Sequence, residues 1–202
     1  CVIVGGLGGD AAGCAVVQVA SFLLANLVCL ADYHILHPIH VRQVATSTRS
    51  VLWVENIVAQ AFARNAPCIL VSDIYPKSGA MTRELLYETA ANAIVNTISG
   101  GHLEGPGAAD GAIPNCSGLE ARWMGEVGQA VVRQQMTLAE ANELVLRLLP
   151  KYEHIFQQPG GNPGLPFEQV YDLETLQPKP EWLEMYQEVK KDVREMGLIG
   201  LD

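Results

Sequence analysis

The chain has 202 residues and a mass of 21.8 kDa, with 49% apolar residues, 17% charged residues and a mean hydropathy of +0.16. Soluble domains ordinarily carry about 25% charge, so this balance excludes disorder, collagen and coiled coil and points to one large core, with at most a helical appendage. Thirteen Lys and Arg against 22 Asp and Glu give a net charge of -9, which excludes the basic footprint of a nucleic-acid binder. Cysteines at positions 1, 14, 29, 68 and 116 form no C-x-x-C pair and signal neither a disulfide framework nor a zinc site. A reducing, cytoplasmic setting is expected.

Cys1-Val-Ile-Val-Gly5 reads as a buried strand with no basic leader, so the chain is expected to begin in mid-fold without a signal peptide. A Gly-rich turn leads to Ala11–Ala31, 21 residues without a charge. Such a stretch reaches the length of a membrane span, about 20 residues. Gln18, Ser21 and Asn26 interrupt it, however, no Lys or Arg flanks it closely, and another strand-like run follows. A helix buried in a large protein or against a partner is the expectation, with no membrane involved. Strands are predicted at Cys1 to Val4, Tyr33 to Leu36, Cys68 to Ser72 and near His102, each followed by a helix, at about 11–30, 49–65, 80–98 and 117–134. Units of about 30 to 35 residues suit βαβ crossovers in a parallel sheet, closed into a barrel or left open. From there the pattern changes. Thr137-Leu-Ala-Glu140 is a capping box opening a helix that Pro150 is expected to stop. A loop from Pro159 to Pro166 leads to helices near 167–174 and 180–196. Two regions result: βα units over 1–134 and a helical extension over 135–202.

Gly6-x-Gly8-x-x-Ala11, with Asp32 about 20 residues on, fits a dinucleotide fingerprint, in which glycines admit a pyrophosphate to a helix N-terminus and the acid binds ribose. An ordinary Gly-rich βα turn is the competing reading. His34, His37 and His40 recur at steps of three; on a strand His34 and His40 share a face while His37 points away, and Pro38 breaks a helical stripe. No metal site is expected there, and polar side chains at a barrel mouth, or an anion held with Arg42, fit better. Ser72-Asp73-Ile-Tyr75-Pro-Lys77 lies at the C-terminal end of a predicted parallel strand, where α/β folds carry their sites. Asp73 would serve as acid, base or ammonium ligand, Tyr75 as hydrogen-bond donor and Lys77 as cation or amine nucleophile. An ordinary loop with an N-cap at Ser78 is the alternative. Arg122 and Glu126 form an i,i+4 pair on a helix whose Gly125 and Gly128 permit close packing.

Gly118-Leu-Glu-Ala-Arg-Trp-Met-Gly-Glu-Val127 resembles the G-x-E-A-R-x-M-G-E-V stretch of monomethylamine methyltransferases. Gly5-Gly6 with Gly9, His34 and His40-x-Arg42, Tyr75-Pro76, Phe167 to Thr175 with Tyr171-Asp172, and the closing Lys-rich helix ending Gly197-Leu198 agree in order, over essentially the whole chain. The resemblance implies the α/β class: the C-terminal part of a (β/α)8 TIM barrel with additional C-terminal helices. It further implies a cytoplasmic, homo-oligomeric enzyme of methanogenesis that moves the methyl group of monomethylamine to the Co(I) corrinoid of a partner protein. The corrinoid comes with that partner, and no cofactor is expected to bind this chain directly.

By the same resemblance Asp73 and Tyr75 are catalytic, and His34, His40 and Arg42 bind substrate. The family's pyrrolysine, whose electrophilic imine adds the amine, and its cavity carboxylates fall before residue 1. Asp73 stands where the family has Gln, and an Asp there either binds methylammonium more strongly or is itself neutral in a buried pocket. His37 has no counterpart and is assigned no role. Half a barrel leaves open strand edges and an uncovered core, which suits a charge-free helix buried in the ring or in an oligomer interface. Two other readings compete: a dinucleotide-binding α/β oxidoreductase resting on Gly6, Gly8 and Asp32, and a non-catalytic half-barrel scaffold, favoured if the natural polypeptide starts at Cys1.

Overall fold

In the computed structural model, residues 2–107 and 109–201 are described. The order is β1 (Ile3–Val4), α1 (Ala11–Leu24) continuing into a π turn (Ala25–Cys29), β2 (Tyr33–Ile35), β3 (Ile39–His40), α2 (Arg49–Asn65), β4 (Ile69–Ile74), α3 (Arg83–Ser99), β5 (His102–Pro106), α4 (Gly118–Arg133), α5 (Leu138–Tyr152), a 3-10 turn (Glu153–Gln157), α6 (Phe167–Val170) and α7 (Pro180–Glu195). The first strand was expected from Cys1, which lies outside the described residues.

The pairings among these strands are parallel. β1 pairs with β3 (Ile3↔Ile39), while β2, β4 and β5 form a second ladder with β4 in the middle. The two ladders are joined through one stretch, because β2 and β3 are the two halves of residues 33–40, bent at His37-Pro38. Leu36 N–H still donates to Val71 O at 2.7 Å, and beyond the bend Ile39 N–H donates to Val2 O at 3.2 Å. The second half, unseen in the sequence, is too short to carry a period. Between β4 and β5 the register slips, Ser72 facing Leu103 and Asp73 facing Gly105, so Glu104 is an extra, bulged residue.

Helix starts follow from local chemistry. Asp10, Thr48, Thr82, Ser117 and Thr137 each place a side-chain oxygen over the first turn of α1 to α5, an interaction worth about 1 kcal/mol. Ser117 with Glu120 and Thr137 with Glu140 complete capping boxes. The cap of α3 is Thr82 rather than Ser78, whose backbone N–H is taken by Glu88. Pro150 does not stop α5: it sits inside the last turn, and the chain coils on to Gln157. Buried Tyr152 anchors that extension, its hydroxyl donating to Ser47 O at 2.8 Å.

Two apolar cores meet at α2 and α3. One joins β1, α1, α2 and the inner residues of β4, with Val4, Phe22, Leu36, Val58, Phe62 and Leu70. The larger unites α3 with α4, α5 and α7 around Trp123, Leu148, Trp182 and Tyr186, so the segment after residue 135 packs directly on α3. The other face of the sheet is open: Ile3, Tyr33, Ile35 and Ile69 are 40%, 55%, 37% and 50% exposed. Within this chain α1 buries only the stripe Cys14, Ala15, Gln18 and Phe22. Together with its π turn (Ala11–Cys29) it is long and apolar enough to cross a membrane, by length and composition alone.

Candidate active site

β4 carries the site by strand alternation. Leu70, Ser72 and Ile74 turn toward the helices and are buried, which leaves Asp73 and the following Tyr75, both half-buried, on the open face. Both lie at the C-terminal end of a parallel strand. A third side chain joins them from the bend between β2 and β3: the His37 ring lies 5.7 Å from the Tyr75 ring, tilted by 35°. Glu104, the bulged residue of β5, adds a second carboxylate to the electrostatic surroundings of His37 and Tyr75.

The groups shift one another. Burial pushes the Asp73 carboxyl above its ordinary value, opposed by the charge of His37 and the Tyr75 hydroxyl. The Asp73 carboxylate is the largest cause raising the Tyr75 phenol, followed by burial. Burial lowers His37, outweighing the carboxylates of Asp73 and Glu104. At neutral pH the cluster therefore presents an uncharged imidazole and a protonated phenol beside its carboxyl groups. Such a wall suits a small cation with N–H donors.

Behind the site runs a buried polar chain. Thr46 N–H donates to Tyr75 O at 2.9 Å, and Tyr75 N–H donates to Thr46 Oγ1 at 3.1 Å. Asn92 Nδ2 donates to the same Thr46 oxygen at 3.2 Å, while its Oδ1 accepts from Ser72 Oγ at 3.0 Å and from Asn96 Nδ2 at 2.8 Å. Asn96 Nδ2 also donates to Glu55 Oε2 at 2.9 Å, and burial raises the Glu55 carboxyl well above its usual range. Next to this chain Glu88, fully buried, accepts from Lys77 N–H at 2.8 Å, Ser78 N–H at 3.0 Å and the Ser47 hydroxyl, tying the loops after β3 and β4 together. Burial pushes its carboxyl up to about 7 despite those donors.

Other sequence candidates lie elsewhere. His34 faces α1, its ring stacked on Phe22 at 4.5 Å and its Nε2 2.9 Å from Asn26 Oδ1, so it is a buried packing residue on the covered face. The strand alternation separating His34 from His37 is as expected, but the covered face is the one His34 occupies. His40 accepts from Arg42 N–H at 3.3 Å and borders a groove with Thr48, Arg49 and Glu153, and Arg42 is exposed in the same loop. Burial raises the Asp73 carboxyl, and the side chains that oppose it are His37 and Tyr75, not these two. Lys77 is no free nucleophile: its ammonium is buried in an ion pair with Asp110. Arg122 pairs with Glu126 at 2.7 Å, and Glu126 also accepts from the Tyr186 hydroxyl at 2.6 Å and from Lys190 at 2.8 Å, which makes this motif a clamp between α4 and α7. A Cβ on Gly128 would meet Leu103 Cδ1 at 2.6 Å, so this glycine does permit close packing, whereas Gly125 faces open space.

The Gly-rich turn is unsuited to a pyrophosphate. Gly5 N–H donates to Gly9 O at 2.7 Å, Gly6 N–H to Ile3 O at 2.9 Å and Gly9 N–H to Gly6 O at 3.0 Å, while the Asp10 carboxylate already holds the helix N-terminus through Gly13 N–H at 2.8 Å. Asp32 precedes β2 instead of following it, at the wrong end of the strand for a ribose. Among the described residues no group of three or more His, Cys, Asp and Glu side chains is placed to hold a metal ion.

Residues 1–198 match the family profile of monomethylamine methyltransferase MtmB. The chain belongs to the monomethylamine methyltransferase MtmB family. Curated MtmB relatives include the protein of Methanosarcina mazei, 29% identical over 199 residues, and MtmB2 of Methanosarcina acetivorans, 30% identical. Each alignment covers 98% of this chain and 43% of the relative, so the chain spans less than half the length of these proteins. The crystal structure of Methanosarcina barkeri MtmB superposes with a TM-score of 0.89 at 28% identity, covering 96% of this chain and 42% of that one. A hydroxylamine complex of MtmB gives 0.88. The MtmB likeness thus extends through the parallel sheet and the C-terminal helices alike.

Proposed function

We propose that this chain is part of an enzyme that transfers the methyl group of monomethylamine to the Co(I) corrinoid of a partner protein, acting as a cytoplasmic homo-oligomer in methanogenesis. In this reading the parallel βα units form the C-terminal part of a (β/α)8 barrel whose interior is the open face of the sheet. The observation that carries it is the convergence of Asp73, Tyr75 and His37 at the C-terminal end of a parallel strand, in a chain of the MtmB family.

Methylamine is a cation at neutral pH, and an amine is a poor leaving group until it is fixed and its charge controlled. The Asp73 carboxylate offers the ammonium a charge-assisted bond, and the Tyr75 hydroxyl offers an acceptor beside it. The uncharged His37 adds no repulsion. An imine electrophile, which the family resemblance places before residue 1, would supply the adduct chemistry; this chain's residues bind and orient the amine.

The test uses the complete natural polypeptide carrying this chain, with monomethylamine and a Co(I) corrinoid protein, followed by corrinoid absorbance. Asp73→Ala should lower kcat/KM for the amine by about 30- to 150-fold, the loss of one charge-assisted bond, and Tyr75→Phe by a smaller factor. Wild-type turnover in both variants would overturn the assignment.

A further inference from the structure

We infer that Asn92 is a positioning residue for Tyr75, acting through Thr46, an inference that rests on the reading that Tyr75 contacts the amine. The carboxamide of Asn92 is fully used. Nδ2 donates to Thr46 Oγ1 at 3.2 Å and to Thr46 O at 3.4 Å, and Oδ1 accepts from Ser72 and Asn96. Only a carboxamide supplies two donors and an acceptor at that spot; Asp lacks the donors and Leu lacks both. The Thr46 hydroxyl is equally committed, accepting from Asn92 and from Tyr75 N–H while its Oγ1 donates to Tyr75 O at 3.5 Å.

The placement of these bonds gives them a functional sense. Asn92 grips β4 at Ser72, one residue before Asp73, and grips the loop that holds the Tyr75 backbone, so it brackets the two candidate amine contacts. Thr46, Ser72, Asn92 and Asn96 are all fully buried or nearly so, at 0% exposure each, and touch no open surface. Gly107 lies beside the Tyr75 ring, with room there for no more than a Cβ in ordinary contact 3.4 Å from Cε1, and its N–H donates to Ile74 O at 2.5 Å. Because both backbone polar groups of Tyr75 are tied to Thr46, displacing Thr46 shifts the Tyr75 backbone and with it the ring.

The experiment measures methyl transfer from monomethylamine in the complete polypeptide for Asn92→Asp, Thr46→Val, Thr46→Ser, Tyr75→Phe and the double variant Asn92→Asp/Tyr75→Phe. Misplacing a reacting-site contact by about 1 Å costs up to about 100-fold, so Asn92→Asp and Thr46→Val should each lose at least about tenfold in kcat/KM. Thr46→Ser, which keeps the hydroxyl, should restore the parent rate, and the double variant should be no slower than the worse single one, because Asn92 acts through Tyr75. Additive losses, or parent kinetics in Asn92→Asp and Thr46→Val, would overturn the inference. Should Asn92→Asp not fold, the Thr46 pair decides alone: Val impaired with Ser restored supports the inference, and Val equal to Ser overturns it. Tyr75 ring resonances in 13C-labelled protein give a readout independent of turnover, shifted in Thr46→Val and unshifted in Thr46→Ser. If Tyr75→Phe itself turns over normally, the proposed function of the site fails first; if Tyr75→Phe is impaired while Asn92 and Thr46 variants are not, only the positioning role fails.

Discussion

At the scale of single residues, buried charge sets the terms. Glu88 has no exposed surface, and three hydrogen bonds do not fully offset its desolvation, so its carboxyl sits at about 7 instead of 4.5. The folded state thus binds this proton more tightly than the unfolded chain. Its contribution favours folding fully below the ordinary value and is lost as pH rises through about 7. A shift of that size corresponds to about 3 kcal/mol. Urea unfolding of the parent and Glu88→Gln from about pH 4 to about pH 8 should show the parent losing stability relative to the variant across that window; parallel curves would show that Glu88 titrates normally. His37 illustrates what the sequence withholds at this scale. Its separation from His34 and His40 is legible in the alternation of a strand, but the covered face is decided by Phe22, which stacks on His34 from a helix twelve residues upstream. Asp73 and Tyr75 were legible because a predicted parallel strand end is itself a site marker.

Among the elements, legibility follows the range of the interaction that makes each one. The Thr137 capping box closes over three residues and is visible in the sequence; the cap of α3 was misplaced because Glu88, ten residues away, claims Ser78. β3 escaped notice since its two residues exist only through pairing with β1, 36 residues earlier in register. The loop from Pro159 to Pro166, read from its Pro and Gly residues, is a packed element. A Cβ on Gly79 would lie 1.9 Å from Pro163 O, and one on Gly164, at φ +63°, would lie 2.2 Å from Ala80 O, so two backbones cross with no room for side chains. Gly79→Ala should destabilise the protein by about 3 kcal/mol, because backbone rather than a flexible side chain must give way. Its denaturation midpoint measures this, and a loss below about 0.5 kcal/mol would show that the crossing relaxes.

The whole molecule has one covered and one uncovered side, plus a second apolar surface on α1 and its π turn. Val16, Leu24, Leu27, Val28 and Leu30 are 61% to 79% exposed, with no charge between Ala11 and Ala31. Apolar patches of this kind drive association. Leu27→Lys with Leu30→Lys should reduce self-association of the chain in light scattering while changing stability by no more than about 0.5 kcal/mol; unchanged association would place the contact on the open face of the sheet instead.

The polar chain behind Tyr75 also dictates an order of events. Its links span 20 residues from Ser72 to Asn92, 29 from Thr46 to Tyr75, 41 from Glu55 to Asn96 and 46 from Thr46 to Asn92. Apart from the Asn92–Asn96 bond inside α3, these links join separate elements, so the loops between them must close before the bonds can form. The helices, capped locally, can form early in the refolding chain; the carboxamide and hydroxyls lock together only when the parallel strands are in register. The wall of the candidate site should therefore mature late, and a refolding chain should regain its helical signal before the Tyr75 environment becomes native.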